Sequence, residues 1–473
     1  MQYKWTALTV TSVGTLMAGI QSRILIIGLP TVARQLQANA AEVIWISLSF
    51  QLAATVSFLM IGRVSDIYGR AKLYNIGFVV FTIGAILSAI SLNVYMLIGF
   101  QVVQGFGAAI LGTTSGAIIA DASPKDELGT LLGINQTAFR GGAMAGLTIS
   151  GFVLSLVNWR GLFYMNVPIG IFGTIWAFRR LREIAPEDPE KRIDWLGIGL
   201  FSGGLALLLL GVTYLSYGVS SALESIGFIV SGVVLILVFA RVESRTAAPV
   251  VDISLFKIKV LVMGNIAQTL YSASWAGLLL IFAIFLQIIL GYTPFQAGLG
   301  VLPIEVSYLP ISILAGRISD RYGSRTLTSS GLALGAAGLF ILSTFGQGTP
   351  YLFVALDLVL IGIGSGLFVT PNSRAVIGSV PPNRRGVASG LFSTAFNVGS
   401  AIGFGLTILF MTFGIPYASL SFVLQGTAAQ AGVAALRGEF LNGIKIASLI
   451  FALIQTASIF PSLARGAKET RVV

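Results

Sequence analysis

Apolar residues in this chain come in runs of about 20, separated by short polar stretches, and runs of that length read as membrane-spanning helices. The pattern predicts spans over 5–29, 44–62, 73–92, 95–120, 129–153, 160–178, 194–215, 223–241, 260–290, 297–315, 327–346, 350–371, 387–413 and 442–464. The expected fold class is therefore an all-α integral membrane protein with fourteen transmembrane helices. The first run, Trp5 to Leu29, is too long for the apolar core of a signal peptide and no small-residue cleavage site follows it, so it counts as a span. The segments are continuous rather than alternating, which disfavours a barrel.

Composition agrees: 55% of the 473 residues are hydrophobic and 10% charged, against roughly 25% charged in a soluble domain. The net charge of +11 falls in short clusters between apolar runs, so it reads as a topology signal and not as a nucleic-acid surface. With the N-terminus cytoplasmic, the outer loops carry only Arg34, Arg160 and Arg437. The inner ones hold Arg63, Arg70 and Lys72, then Arg179, Arg180, Arg182, Lys191 and Arg192, then Arg317, Arg321 and Arg325, then Arg384 and Arg385. This asymmetry places both termini inside, in a plasma membrane.

The sequence has no cysteine and no histidine. Disulfides and thiolate metal sites are excluded, and a proton handled near neutral pH has to sit on a buried carboxyl group. There is no G-x-x-x-x-G-K-[ST] loop and no assembled nucleophile, base and metal set, so neither an ATPase nor another enzyme is expected.

Two stretches repeat. "GRVSDIYGRAKL" begins at Gly62 and "GRISDRYGSRTL" at Gly316, each closing an even-numbered span. "GTLLGINQTAFRGGAMAG" from Gly129 matches "GVASGLFSTAFNVGSAIG" from Gly386, pairing Gly133 with Gly390, Gly142 with Gly399, Gly146 with Gly403, and Arg140 with Asn397. The two shifts are nearly equal and cover eight helices. The parse is a six-helix bundle at 1–182, a linker with two inserted helices at 183–256, and a second six-helix bundle at 257–473. Parallel six-helix repeats are an alternating-access architecture.

On these residues the chain resembles the major facilitator superfamily, in its fourteen-helix drug:proton antiporter branch. "GRVSDIYGRAK" fits the family's G-x-x-x-D-x-x-G-R-x-K loop, and "WRGLFYMNVPIG" from Trp159 and "LQIILGYTPFQAGLGVLP" from Leu286 are similar to further segments of that branch. The resemblance implies a conformational latch at Gly62, Asp66, Gly69, Arg70 and Asp121, with Gly316, Asp320 and Gly323 as the second copy. The glycines permit tight turns and close packing, and the charges can pair in one bundle arrangement and part in the other.

The chain departs from the branch in three helices. Where helix 1 usually carries an acid and a threonine it has Gln21 and Arg23, and helix 4 has Gln101 in place of an arginine. Helix 5 keeps the packing glycines Gly142, Gly146 and Gly151 but has Leu147 in place of the proline.

A charge near the bilayer centre costs roughly 2.5–3.5 kcal/mol on insertion scales, so each is a functional candidate. The candidates for substrate and proton coupling are Arg140, Glu305, Arg23 and Asp357, with Gln21, Gln101 and Asn397 as polar neighbours and Trp45, Gln51, Gln268, Tyr271 and Trp275 as further cavity residues. Either the arginines bind a polar or anionic group while Glu305 or Asp357 carries a proton, or the four form static pairs between helices. On a helical wheel Gly142, Gly146 and Ser150 lie roughly 200–280° around from Arg140. If that row packs on a partner helix, Arg140 is expected in the cavity or against its own bundle.

The function this implies is secondary active transport by alternating access: export of small drug-like molecules, anionic or neutral, driven by proton antiport. The alternatives are an importer, coupled or uncoupled, a lipid translocator and a non-transporting sensor. No cofactor or metal is called for, and nucleic acid is not a partner. The expected partners are a small-molecule substrate, protons and the lipid bilayer, with the chain acting as a monomer. The outer loop 414–441 is a candidate cover for the entrance.

Overall fold

A computed structural model describes residues 3–38, 40–124, 126–184, 193–215, 222–246, 249, 252–411 and 437–465. The helices are α1 (Tyr3–Leu36), α2 (Ala40–Tyr68), α3 (Arg70–Ala89), α4 (Val94–Ala122), α5 (Leu128–Leu156), α6 (Arg160–Tyr164) and α7 (Asn166–Arg180). After them come α8 (Trp195–Leu215), α9 (Ala222–Glu243), α10 (Lys259–Ile284), α11 (Pro294–Gly300), α12 (Leu302–Tyr322), α13 (Arg325–Leu342), α14 (Tyr351–Gly378), α15 (Arg385–Met411) and α16 (Arg437–Ala464). No strand occurs among the described residues.

Twelve helices or in-line pairs among the described residues are long and apolar enough to cross a membrane. The in-line pairs are α6 with α7, running from Arg160 to Arg180, and α11 with α12. The expected single span at 160–178 is thus two helices meeting at Met165. Neither α1 nor α5 is among the twelve, although they have 34 and 29 residues and pack along one another. The expected loop 414–441 falls largely outside the described residues, and α16 already begins at Arg437.

Within the N-terminal set, α1 packs on α4, α5 and α7, and α3 on α4. Within the C-terminal set, α10 packs on α15 and α16, and α14 on α12 and α13. The sets meet through α5 on α12 and α15 on α2, a reciprocal exchange between the two stretches that repeat in the sequence.

The glycines explain how the helices come so close. A Cβ at Gly142 would stand 2.2 Å from the Leu16 carbonyl oxygen, and one at Gly146 2.6 Å from that of Ile20, so α5 lies backbone to backbone on α1. Their counterparts Gly399 and Gly403 do the same to Thr269 and Ala273 of α10, at 2.2 and 2.0 Å. Without a hydrophobic drive between helices in lipid, such close backbone approach supplies the dispersion contact that holds them.

The inserted hairpin sits outside. Its α8 touches α2 and α15, with the Ser202 hydroxyl donating to the Val56 carbonyl at 2.8 Å. Outward on α9, Leu223 and Leu237 are 82% and 64% exposed, as lipid-facing side chains would be.

Candidate functional site

Arg140 crosses from one helix set to the other. Its α5 is fixed on α1 by Gly142 and Gly146, and its guanidinium points away from that seam to α12, where Nη1 lies 3.3 and 3.4 Å from the two carboxylate oxygens of Glu305. Of the two places the sequence left open for Arg140, a helix of its own bundle is set aside, and the side chain faces the other helix set. The wheel gave the direction away from α1 but could not say that α12 lies there.

Glu305 belongs to the first turn of α12, where the helix N-terminus favours a negative charge. Two aromatic rings complete the receptor. The guanidinium carbon is 4.2 Å from the Trp275 ring centre and 4.3 Å from that of Tyr308. Tyr271, one turn before Trp275 on α10, stacks on it at 6.0 Å and 22° and meets Phe368 of α14 at 4.7 Å. Arg140 is 7% exposed and the Glu305 side chain 14%. A buried guanidinium needs both a counter-charge and close partners to be tolerated, and this pocket provides an ion pair and two cation–π contacts.

Arg23 extends the cluster. It follows by less than one turn the Ile20 on which Gly146 of the Arg140 helix packs, and is partly buried. Among the described residues nothing hydrogen-bonds or ion-pairs with it.

The other candidates lie elsewhere. Gln21 and Gln101 form a network inside the N-terminal set. Gln21 donates to Gln101 at 3.4 Å, Gln101 donates to Ser88 and Gln104 at 3.0 and 2.9 Å, and Asn166 of α7 donates to Gln21 at 3.0 Å. All five are buried. Sequence reasoning named Gln21 and Gln101 as polar neighbours of the charged candidates, and the network turns them into the N-terminal set.

Asn397, the repeat counterpart of Arg140, only returns to the Ser393 carbonyl of its own helix at 2.9 Å. Gln268 accepts from Asn372 at 3.0 Å. Asp357 is 3% exposed, so it does not reach an interface with water. It lies against Gly338 of α13, with neither carboxylate oxygen hydrogen-bonded among the described residues. An open crevice of about 460 Å³ between α1, α5 and α7 is apolar, lined by residues such as Leu16, Ala138 and Phe172 and by none of the charged candidates.

At one end of the molecule the latch residues come together. Arg70 donates through Nε and Nη2 to Asp66 at 3.1 and 2.6 Å, pairs with Asp121, and donates to the Pro382 carbonyl at 2.6 Å. Asp66 in turn accepts the backbone N–H groups of Gly386 and Val387 at 3.0 and 3.1 Å, the first turn of α15. Arg385 donates to Asp121 at 3.1 Å and to the Ala120 carbonyl at 2.7 Å.

The second copy mirrors this. Asp320 accepts the N–H groups of Gly129 and Thr130 at the start of α5, at 2.8 and 3.0 Å, and the Thr130 hydroxyl at 3.1 Å. Each carboxylate thus satisfies the free N–H groups of a helix from the other set. Side chains would keep these ends apart: a Cβ on Gly62 would be 2.6 Å from the Gly386 carbonyl, and one on Gly316 2.4 Å from that of Gly129. Gly69 and Gly323 make the turns at φ +100° and +84°, where other residues are strained.

Sequence reasoning missed Gly129, Gly386 and Arg374, which donates to Asp320 at 2.8 Å where the first copy uses Arg70. A signal existed for the glycines, since each opens one of the matched stretches.

Comparison with known proteins agrees with this architecture. The cephamycin export protein CmcT of Amycolatopsis lactamdurans is 30% identical over 473 residues, covering 98% of this chain and 93% of that one. The riboflavin transporter RibZ of Clostridioides difficile (strain 630) is 27% identical over 408 residues, 85% of this chain and 87% of its own. In structure, the human organic anion transporter MFSD10 superposes with a TM-score of 0.70 at 15% identity, covering 97% of this chain and 99% of that one, which speaks to the fold. The relatives are transporters and not enzymes. Residues 11–247 and 264–439 match the Major Facilitator Superfamily, and the chain belongs to that family of multi-pass membrane transporters.

Proposed function

We propose that this chain exports small organic molecules across the plasma membrane by alternating access, with Arg140–Glu305 as the contact on which substrate and proton both act. One observation carries the reading: the buried charge of one helix set is neutralised by a carboxylate of the other, inside an aromatic pocket, so moving the sets apart has to part the pair. A substrate or a proton that replaces one partner supplies what opening removes. Export is supported by the names of relatives, among them the cephamycin exporter and the tetracenomycin C resistance and export protein of Streptomyces glaucescens.

In this reading α1 and α5 also span the bilayer, giving fourteen helices in two six-helix bundles with α8 and α9 inserted. The basic clusters put both termini in the cytoplasm, and the Asp66 and Asp320 contacts are the latch that closes the cytoplasmic side. Glu305 is the proton carrier. An importing direction is the second reading, favoured by Leu147 standing where the antiporter motif has its proline.

The test is flux in proteoliposomes. Riboflavin and a panel of drug-like compounds are offered under an imposed pH gradient to wild type and Glu305→Gln. Flux that follows the gradient in wild type and loses that response in the variant supports the reading. Flux indifferent to both gradient and substitution removes Glu305 from coupling, and no flux of any compound overturns transport at this site.

A further inference from the structure

The charged cluster does not sum to zero. Arg140 and Glu305 neutralise one another, while Arg23, on the α1 that packs backbone to backbone on the α5 of Arg140, has no hydrogen-bond or ion-pair partner among the described residues. Every element packed on Glu305 can be checked for another acid. From α5 comes Arg140 and from α1 Arg23, while α12 itself and α10 contribute the phenols Tyr308 and Tyr271. The α11 segment contains no charged residue, and the nearest acid on α14, Asp357, lies against Gly338 of α13. The cluster therefore carries one uncompensated positive charge in a largely buried place.

We propose that this site takes a small aromatic organic anion, anchored by Arg23, and that the anion binds together with a proton on Glu305. This rests on the reading of Arg140–Glu305 as the transport site. The sign follows from competition. An entering carboxylate or sulfonate meets Arg23 first and then shares Arg140 with Glu305, whose negative charge opposes it. Protonating Glu305 removes both the competitor and the repulsion. Linkage is reciprocal, so the anion raises the proton affinity of Glu305 by the same factor that the proton raises that of the site for the anion.

A cation gives the opposite sign, since it has to displace Arg140 from Glu305 and a proton there excludes it. Exchange of substrate against proton, which the resemblance implies, suits the cation. The charge count favours co-binding, which carries substrate and proton in the same direction and so goes with the importing reading of this site rather than with proton-driven export. The aromatic part follows from Trp275 and Tyr308, whose faces line the place that Arg140 vacates as it turns to the ligand.

The test uses the purified full chain in detergent and two probes of the same shape, naphthoate and naphthylmethylamine, titrated by thermal stabilisation from pH 5 to 8, with proton uptake read in weak buffer. Naphthoate is expected to bind more tightly as pH falls, by up to about tenfold per unit for one linked proton, and to take up protons on binding. Glu305→Gln is expected to bind it with no pH dependence and no proton uptake, Arg23→Gln to lose it, and Arg23→Lys to recover it in part.

Preference for the amine, with affinity that falls at low pH, overturns the anion and leaves the transport site standing. Naphthoate binding that neither pH, Glu305→Gln nor Arg23→Gln alters overturns both, because the ligand is then bound elsewhere. Circular dichroism of Arg23→Gln against wild type separates a lost anchor from a lost fold.

Discussion

Replacing Asp66 by asparagine tests whether the carboxylates at the glycine-loop face hold the two helix sets together. Asp66 accepts four N–H groups, two from Arg70 in its own set and two, from Gly386 and Val387, across to α15. An asparagine keeps one acceptor oxygen and turns an amide donor toward groups that are themselves donors. At least one crossing hydrogen bond to a charged acceptor is lost, worth about 1.5–3 kcal/mol. At 1.4 kcal/mol per factor of ten, the closed-to-open ratio at that face falls about 10- to 150-fold.

The chain has no cysteine, so spin labels can be placed cleanly at Tyr68→Cys and Tyr322→Cys, exposed ends of α2 and α12 on that face. Double electron–electron resonance is expected to move from one distance to a distribution with a dominant longer component in Asp66→Asn, and likewise in Asp320→Asn. An unchanged distribution in a variant that melts as wild type does would refute the latch.

Two further substitutions separate packing from function. Gly142→Ala puts a Cβ 2.2 Å from the Leu16 carbonyl oxygen, so α1 and α5 have to move apart. Overpacking of this kind costs about 1–3 kcal/mol, and a lowered melting temperature by scanning calorimetry in detergent is expected, with Gly399→Ala behaving alike. Gln101→Leu leaves Ser88, Gln104 and Gln21 short of partners, a loss of about 1–3 kcal/mol visible in the same scan. Naphthoate affinity should stay at the wild-type value, and a changed affinity at unchanged melting would bring the network into the site.

Much of the fold was legible because the bilayer enforces it. Runs of about 20 apolar residues have few alternatives to a helix, and most helix positions in the structure follow the apolar pattern. The duplication was legible because it needs only matched letters at one offset. Pairing between helices was harder. Arg140, Glu305 and Trp275 each stood out as single residues, yet periodicity gives only the face of a helix, and which neighbour occupies that face is set by the packing of α5 across to α12. Gln21 and Gln101 show the same limit. They share a level with Arg23 but turn inward, where Ser88 and Asn166 answer them, and neither of those residues is conspicuous in the sequence.

The two crossing regions differ in symmetry, and that difference divides the labour between them. At the latch each set caps a helix of the other through an aspartate, so the contact is nearly indifferent to which repeat is considered. Four backbone N–H groups bound to carboxylates, at about 1.5–3 kcal/mol each, exceed the 1–3 kcal/mol that a ligand typically contributes to a conformational equilibrium. Water and new contacts in the open form therefore have to offset nearly all of that energy, leaving a balance small enough for a ligand to tip. The asymmetric crossing is where it can do so. Arg140 reaches across while its repeat partner Asn397 turns back on its own helix, and Arg23 of the adjoining α1 has no ion-pair partner among the described residues. In the proposed mechanism a charge entering there changes the energy of one arrangement of the sets and not the other, which is the requirement for coupling.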